Sequence, residues 1–220
     1  FLQYKQQPGN TAWSLLTQEE EGLAKGLNTN WQDLLYKTAV INSHDLSVSG
    51  GSEQLSGSVG LGYYNETAVL PGQDYTRYSV RAALDFKVTN WLKFGLNTQN
   101  TFGITNGETA SPMFDLLANS PLVSTYDEKG AIIKQPHNPR EDSYNPLYVK
   151  DDNLWTQERK RFSTLNSIYA EIQFLPELKY RANIGLNYTH DEYGDFYASE
   201  SNFKAGGVST AATNNTTSYN

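Results

Sequence analysis

The sequence predicts an all-β fold: an antiparallel transmembrane β-barrel segment with long extracellular loops and one or two short helices near the N-terminus. Three observations predict it. Several segments alternate strictly between apolar and polar residues, the connections between them are alternately short and long, and aromatic residues gather at both ends of the alternating segments. A strand whose two faces meet different environments has this period of two, and membrane barrels add the loop asymmetry and the aromatic girdles.

Composition excludes several classes of protein. The chain of 220 residues contains no cysteine, which removes disulfides, thiolate metal sites and a cysteine nucleophile. Its formal net charge of −7 argues against binding to nucleic acid, because phosphate backbones attract basic surfaces. The mean hydropathy of −0.60 is typical of a soluble protein, but a barrel strand needs only every second residue to be apolar.

The clearest strand covers residues 78–88, and a tight turn at 89–91 joins it to a second strand at 92–104. On one face of the first strand lie only apolar side chains, namely Tyr78, Val80, Ala82, Leu84, Phe86 and Val88. Residues 168–174 and 180–188 form a second hairpin of this type, and shorter runs at 46–48 and 59–63 form a third. The pattern therefore predicts six strands, with one or two more in the Asn/Thr-rich tail after residue 203.

Two short helices are expected before the first strand. Thr17 and Glu20 have the spacing of a capping box, so a helix should begin at Thr17 and end near Gly26. A second helix should begin near Asn30, because Trp31, Leu34 and Leu35 follow at helical spacing.

Strand length favours a membrane barrel over a soluble sandwich. Globular strands have about five or six residues, whereas strands that cross a bilayer need about nine to eleven, as the alternating runs here do. The polar face of the strands would then line a wet lumen. The predicted lumen-lining residues are Arg81, Lys87, Lys93, Asn97, Gln99 and Arg181.

Five strings of sequence, in a fixed order, carry a family resemblance. They are NTNWQD at 28–33, HDLSVSGG at 44–51, GLGYYN at 60–65, YTRYSVR at 75–81 and NWLKFG at 90–95. The set resembles the SusC/RagA family of TonB-dependent outer-membrane transporters of Bacteroidetes, in the first part of their barrel. SPL at 120–122 and YNPL at 144–147 look like that family's long extracellular loop.

The resemblance implies an internal fragment of a larger transporter, because the family's signal peptide, plug domain and TonB box have no counterpart here. It implies import of oligosaccharides or peptides across the outer membrane of a Gram-negative bacterium. The implied partners are a TonB complex, which supplies energy through parts absent here, a SusD-like surface lipoprotein, and outer-membrane lipid.

The predicted organisation has five parts. Residues 1–41 form an extracellular loop segment with short helices, and residues 42–104 form two barrel hairpins. A long extracellular loop covers 105–159, a further barrel hairpin covers 160–192, and residues 193–220 form a loop and the possible start of another strand.

No catalytic residue, metal site or cofactor is predicted. The histidines His44, His137 and His190 are far apart in sequence, and no nucleophile elbow, phosphate loop or zinc spacing occurs, so the chain is not expected to be an enzyme. The acidic groups at 19–21, 151–152 and 191–195 lack the spacing of a calcium loop and are taken as solvated charge.

Recognition is expected in the long loop. The candidate ligand or partner contacts are Tyr126, Arg140, Tyr144, Tyr148 and Trp155. Exposed aromatic rings beside hydrogen-bonding groups suit sugar faces and peptide side chains, but loop aromatics also commonly pack onto their own protein. Two alternatives stay open: a small complete outer-membrane barrel of porin or adhesin type, and a soluble β-sandwich that binds carbohydrate through Trp155.

Overall fold

A single antiparallel sheet dominates the structure, a computed structural model that describes residues 15–108, 112–137, 143–150, 153–201 and 207–220. Within this part the strands are β1 Ile41–Gly51, β2 Leu55–Thr67, β3 Asp74–Lys87, β4 Leu92–Asn106, β5 Trp155–Leu175, β6 Leu178–Tyr197 and β7 Thr210–Tyr219. They pair in chain order, each antiparallel to the next, and β1 and β7 form the two edges. The all-β, barrel-type prediction is confirmed.

The strands are longer than the alternation indicated. β5 and β6 have 21 and 20 residues, and β5 begins at Trp155 rather than at residue 160. Pairing continues in register along every neighbouring pair, with one irregularity at Gln173 and Leu175 near the β5–β6 turn. This continuity extends the strands beyond the segment that a bilayer would cover.

Short turns connect neighbouring strands at one end of the sheet. Between β1 and β2 the Ser52 N–H donates to the Leu55 carbonyl oxygen at 2.6 Å. Between β3 and β4 the Thr89 hydroxyl oxygen accepts the backbone N–H groups of Trp91 and Leu92. These local bonds fix the strand register at the turns, as hairpin geometry requires.

At the opposite end, the loops and short helices form one packed body. We call residues 15–40, 68–73 and 112–148, as far as they are described, the cap. It contains helices α1 Thr17–Ala24, α2 Trp31–Leu35 and α3 Met113–Ala118, and it runs into a 3₁₀ helix at Pro146–Lys150. Its core consists of Trp31, Leu35, Leu70, Leu116, Val123 and Leu147.

The helix starts agree with the sequence pattern in one case and differ in the other. Asn30 caps α2, because its side-chain oxygen accepts the N–H groups of Gln32 and Asp33. For α1 the cap is Leu16 rather than Thr17, and the Glu19 carboxylate, not that of Glu20, accepts the Leu16 N–H at 2.9 Å. Glu19 is fully buried, and its other carboxylate oxygen lies 3.1 Å from His137 Nε2.

The cap is held together by bonds between residues far apart in sequence. The Trp31 indole N–H donates to the Ser120 carbonyl oxygen at 3.0 Å. Helix α1 lies directly against the long loop, since a Cβ on Gly22 would stand 1.6 Å from the Leu122 carbonyl oxygen. Only glycine permits this approach.

Asn145 is the polar centre of the cap. Its side chain is completely buried, and its amide donates to the carbonyl oxygens of Thr125 and Ile133, both at 3.0 Å. Its side-chain oxygen accepts the Leu147 N–H at 3.0 Å. One side chain thus satisfies three backbone groups from three places in the loop.

Among the described residues, the sheet itself has no core comparable to that of the cap. Large apolar side chains in the strands remain exposed, for example Val48 at 69% and Ile184 at 75%. Within the described residues, none of the helices has the length and apolar character needed to cross a membrane.

We expect Asn145→Ala to destabilise the cap by about 2–4 kcal/mol, because it leaves buried carbonyl and N–H groups without partners. Hydrogen exchange of the full-length protein would show faster exchange in residues 112–148 and unchanged exchange in β2–β4. The control is Asn42→Ala, at an exposed position of β1. Wild-type exchange in the N145A cap would contradict the prediction.

Candidate functional site

One face of the sheet is an apolar band, which we call the apolar face. Strand pairing places its residues in rows across the sheet, because directly opposite residues point the same way. A representative row is Gly57, Leu84, Leu96, Ile168 and Ile184. Most exposed apolar residues of β1–β6 lie in successive rows of this face, whereas Ile41 and Leu165 lie on the other face.

Aromatic rows bound the apolar face at both ends. Toward the cap, Tyr63, Tyr78 and Phe102 are directly opposite one another, and the rings of Tyr63 and Tyr78 lie 5.4 Å apart. Toward the turns, Phe86 faces Phe94. The two rows are about 27 Å apart along β3, from Tyr78 to Phe86. In a barrel whose strands tilt by about 40°, this separation corresponds to about 20 Å along the barrel axis. That height is close to the apolar band of outer-membrane barrels, about 25 Å.

All six residues predicted to line a lumen lie together on the other face, which we call the polar face. Arg81 is opposite Gln99, and Lys87 is opposite Lys93. The Arg81 guanidinium also reaches Asp45 on β1 at 3.5 Å. A depression of about 420 Å³ on the sheet is lined in part by Arg81, Asn97, Gln99, Leu165 and Ser167. That these residues line a lumen stays a prediction.

A cluster near the turn end of the polar face was not identified from the sequence. The Tyr169 ring lies over Gly95, its hydroxyl donates to Asp85, and the Arg181 guanidinium stacks 3.6 Å from the ring centroid. Asp85, Gly95 and Tyr169 occupy one row of the register. Because Tyr169 is 84 positions from Asp85, only the register reveals this cluster.

A second set of charges lies beyond the aromatic row, near the cap. Arg159 pairs with Glu108 at 2.8 Å, and its guanidinium lies 5.3 Å from the ring centroid of Tyr193. Nearby, the Lys160 ammonium donates to Glu158, and this bond raises the pKa of Lys160. Arginines and tyrosines thus stand close together at this end of the polar face.

Tyr64, also beyond the aromatic row, donates its hydroxyl to the Glu66 carboxylate at 2.7 Å. That hydrogen bond holds the proton and raises the pKa of Tyr64. The Arg77 guanidinium lies 5.3 Å from the centroid of the same ring.

The five candidate loop contacts are placed differently from one another. Tyr126 is 45% exposed, whereas Tyr144 and Trp155 are buried at 8% and 3%. Tyr148 is half-buried and donates its hydroxyl to the Ile132 carbonyl oxygen at 3.4 Å, and Arg140 lies outside the described residues. Burial of Tyr144 and Trp155 favours the packing alternative for these two. Ligand contact by the set stays a prediction.

The histidines do not converge on a site. His44 stacks on Tyr63 with ring centroids 6.2 Å apart, and His190 contacts Thr217 and Glu192. In the part of the chain that the structure covers, no group of three or more potential metal ligands occurs.

Two sequence relatives of this chain are named TonB-dependent receptors. The chain is 25% identical over 193 residues to the TonB-dependent receptor P39 of Formosa agariphila, an alignment that covers 87% of this chain and 18% of the relative. It is 26% identical over 184 residues to the TonB-dependent receptor SusC of Bacteroides thetaiotaomicron, covering 73% of this chain and 18% of that relative. No family model matches.

Solved structures share the fold. The RagAB peptide importer in its closed-closed state matches 77% of this chain and 20% of its own, with a TM-score of 0.63 and 20% identity. Another structure of the RagAB peptide transporter matches 78% of this chain with the same TM-score and 19% identity. The chain spans about a fifth of the length of the relatives it matches. The resemblance to SusC/RagA-type TonB-dependent receptors is confirmed.

We expect Gly95→Ala to destabilise the sheet by about 1–3 kcal/mol, because overpacking would displace the Tyr169 ring. A Cβ at Gly95 would stand 1.9 Å from that ring. Loss of folded protein on heating, followed by electrophoresis of the full-length chain, would measure the change. Gly185→Ala is the matched control on the same face, since its Cβ would meet nothing closer than 3.8 Å. Equal stability of the two variants would contradict the role given to Gly95.

Proposed function

We propose that this chain, SusC/RagA-like in sequence and barrel-like in fold, is part of the wall of an active importer in the outer membrane of a Gram-negative bacterium. The observation that carries the proposal is the uncovered apolar face between two aromatic rows. Exposed apolar area of this extent is unfavourable in water, whereas hydrocarbon covers it and headgroups accommodate the rings.

The polar face suits passage of a polar nutrient. It offers amide, hydroxyl and guanidinium groups, which can exchange hydrogen bonds with an oligosaccharide or a peptide without holding either tightly. We infer binding and gated passage rather than covalent chemistry, so the chain is not an enzyme. The names of the relatives support nutrient import. Whether the nutrient is a glycan or a peptide depends on the whole protein and not on this chain alone.

We infer two partners. A TonB complex would deliver energy through parts of the protein outside this chain. A SusD-like lipoprotein would cover the cap, where α3 presents Phe114 at 68% and Leu117 at 69% exposure, with Met113 beside them at 42%. Large exposed apolar side chains that lie together are typical of a protein interface.

A soluble sandwich is disfavoured by the sheet. Such a fold packs two sheets face to face over a shared core. The described residues form one sheet, and its apolar face stays exposed. The exposed apolar face of a single sheet thus favours the membrane interpretation over the soluble sandwich.

We expect Trp91 to lie at the headgroup level. It is 53% exposed, in the turn next to the aromatic row of Phe86 and Phe94. Brominated lipids of graded depth, added to the reconstituted full-length protein, should quench a shallow fluorescence component that disappears in Trp91→Phe. Trp155→Phe is the control, since Trp155 is buried at 3% and beyond the apolar band. A Trp91 component insensitive to every brominated lipid would refute membrane placement of this face.

The transport proposal is tested in a strain that lacks the gene. We expect it to lose growth on an oligosaccharide or peptide source that the parent uses, and a strain lacking TonB to show the same loss. The Phe114→Ser/Leu117→Ser double variant should restore less uptake than wild type and co-purify with less surface lipoprotein.

Val69→Ser is the matched control for the double variant, because Val69 is a 49% exposed apolar residue elsewhere in the cap. It should restore uptake fully. If the deletion strain grows like its parent on every source, import is not the function. If the double variant behaves like V69S, the partner does not use α3.

A further inference from the structure

Two lysines are directly opposite each other at the turn end of the polar face. They are Lys87 on β3 and Lys93 on β4, and both side chains are exposed. Like charges at directly opposite positions of neighbouring strands repel one another and destabilise the pairing. Among the described residues, no carboxylate forms an ion pair with either ammonium group. The described part of the chain therefore offers nothing that offsets this repulsion.

Neighbouring cations of the polar face differ from this pair, because each has an acidic partner. Toward the cap, the Arg81 guanidinium lies 3.5 Å from the Asp45 carboxylate. At the turn end, Lys179 and Arg181 lie 4.0 Å and 3.9 Å from the carboxylate of Glu171. The lysine pair is thus an exception to the way in which this wall neutralises its charges.

Two carboxylates beside the lysine pair are engaged with other groups. Glu171 is directly opposite Lys93, but it pairs with the two cations of β6. Asp85 lies two positions before Lys87 on the same strand, and its carboxylate accepts the hydroxyl of Tyr169. An anion that arrives from outside would therefore meet two ammonium groups that these neighbours do not neutralise.

The strand positions around the lysine pair are positively charged overall. They contain four cations and two carboxylates, namely Lys87, Lys93, Lys179 and Arg181 against Asp85 and Glu171. This excess of positive charge occurs in a chain whose formal net charge is −7. A wall of one charge sign raises the local concentration of oppositely charged solutes. The turn end of the polar face is thus suited to attract anions.

Both lysines line a depression of about 190 Å³ beside the β1–β2 turn, which we call the lysine depression. Its lining also includes Glu53, Gln54 and Ser56, which bring a carboxylate, an amide and a hydroxyl group. The two ammonium groups only donate hydrogen bonds, whereas the other three side chains supply acceptors as well. The lysine depression can therefore receive a negative charge and hydrogen-bond to neutral polar groups around it.

We propose that the lysine depression binds a sugar acid, with the carboxylate of one uronic-acid unit between the ammonium groups of Lys87 and Lys93. The inference rests on the proposed function and narrows the nutrient to an acidic oligosaccharide. A uronic-acid unit carries a carboxylate and several hydroxyls on one ring, so its charge suits the lysines and its hydroxyls suit Glu53, Gln54 and Ser56. An acidic peptide lacks such a set of hydroxyls, and the acidic groups of the depression would repel its further charges.

The test is calorimetric titration of the purified full-length protein with trigalacturonate, with its neutral methyl ester and with triglutamate. The ester keeps the ring hydroxyls and loses the charge, so the difference between acid and ester measures the contribution of charge. We expect the acid to bind about tenfold more tightly than the ester, because its bonds to the lysines are charge-assisted. Equal binding of acid and ester, or no binding of either, would overturn the proposal. Triglutamate bound as tightly as trigalacturonate would overturn the choice of a sugar.

Paired variants assign the binding to the two lysines. Lys87→Gln/Lys93→Gln should weaken binding of trigalacturonate about tenfold and leave binding of the methyl ester unchanged, because glutamine donates hydrogen bonds without a charge. Lys87→Arg/Lys93→Arg keeps the charge and should bind like wild type. The control, Lys160→Gln/Lys179→Gln, removes the same charge from two lysines that have acidic partners and should also bind like wild type. Equal losses in K87Q/K93Q and K160Q/K179Q would overturn the site.

An uptake assay separates this inference from the proposed function. The deletion strain that carries K87Q/K93Q should take up trigalacturonate with a higher half-saturating concentration and an unchanged maximal rate. An unchanged half-saturating concentration would overturn the inference and leave import intact. If the purified wild-type protein binds trigalacturonate through the lysines while the deletion strain loses growth on no source, import is refuted and the binding site stands.

Discussion

The in-register antiparallel ladder is the constraint on which the other features depend. Because side chains alternate with a period of two, register decides at every position which face a residue meets, and a slip of one residue would exchange the faces. Pairing runs through six adjacent strand pairs with one irregularity, at Gln173 and Leu175. The apolar face, the aromatic rows at its ends and the polar face all follow from that continuity.

Stability is distributed unevenly between the two parts of the molecule. The cap has a closed core around Trp31 and Leu35 and a buried polar centre at Asn145, so it resembles an ordinary small globular body. The sheet satisfies its backbone groups through the ladder but leaves its apolar side chains to the surroundings. An exposed apolar face of this extent is unfavourable in water, and the unpaired groups of edge strands can pair with further strands.

The exceptions to the alternation carry the most information about contacts. On the polar face, Gly95 leaves room for the Tyr169 ring, and Asp85 and Arg181 hold that ring in place. On the apolar face, a two-by-two group of polar side chains lies among apolar neighbours, namely Thr98, Asn100, Thr164 and Asn166. Both features are combinations of neighbouring strands, and neither would be recognised on one strand alone.

The sequence alone determined the all-β class, the principal hairpins and the two faces, because alternation and turn residues act over a few neighbouring positions. It also indicated the aromatic rows at Tyr63, Tyr78 and Phe102. Only the tertiary structure decided that Tyr144 and Trp155 are buried and that Tyr169 meets Asp85. It also decided that the Glu19 carboxylate, rather than that of Glu20, accepts the Leu16 N–H at the start of α1. These contacts depend on how the loop folds and on which residues the register brings opposite one another. Both are set by the packing of distant segments, which local spacing does not encode.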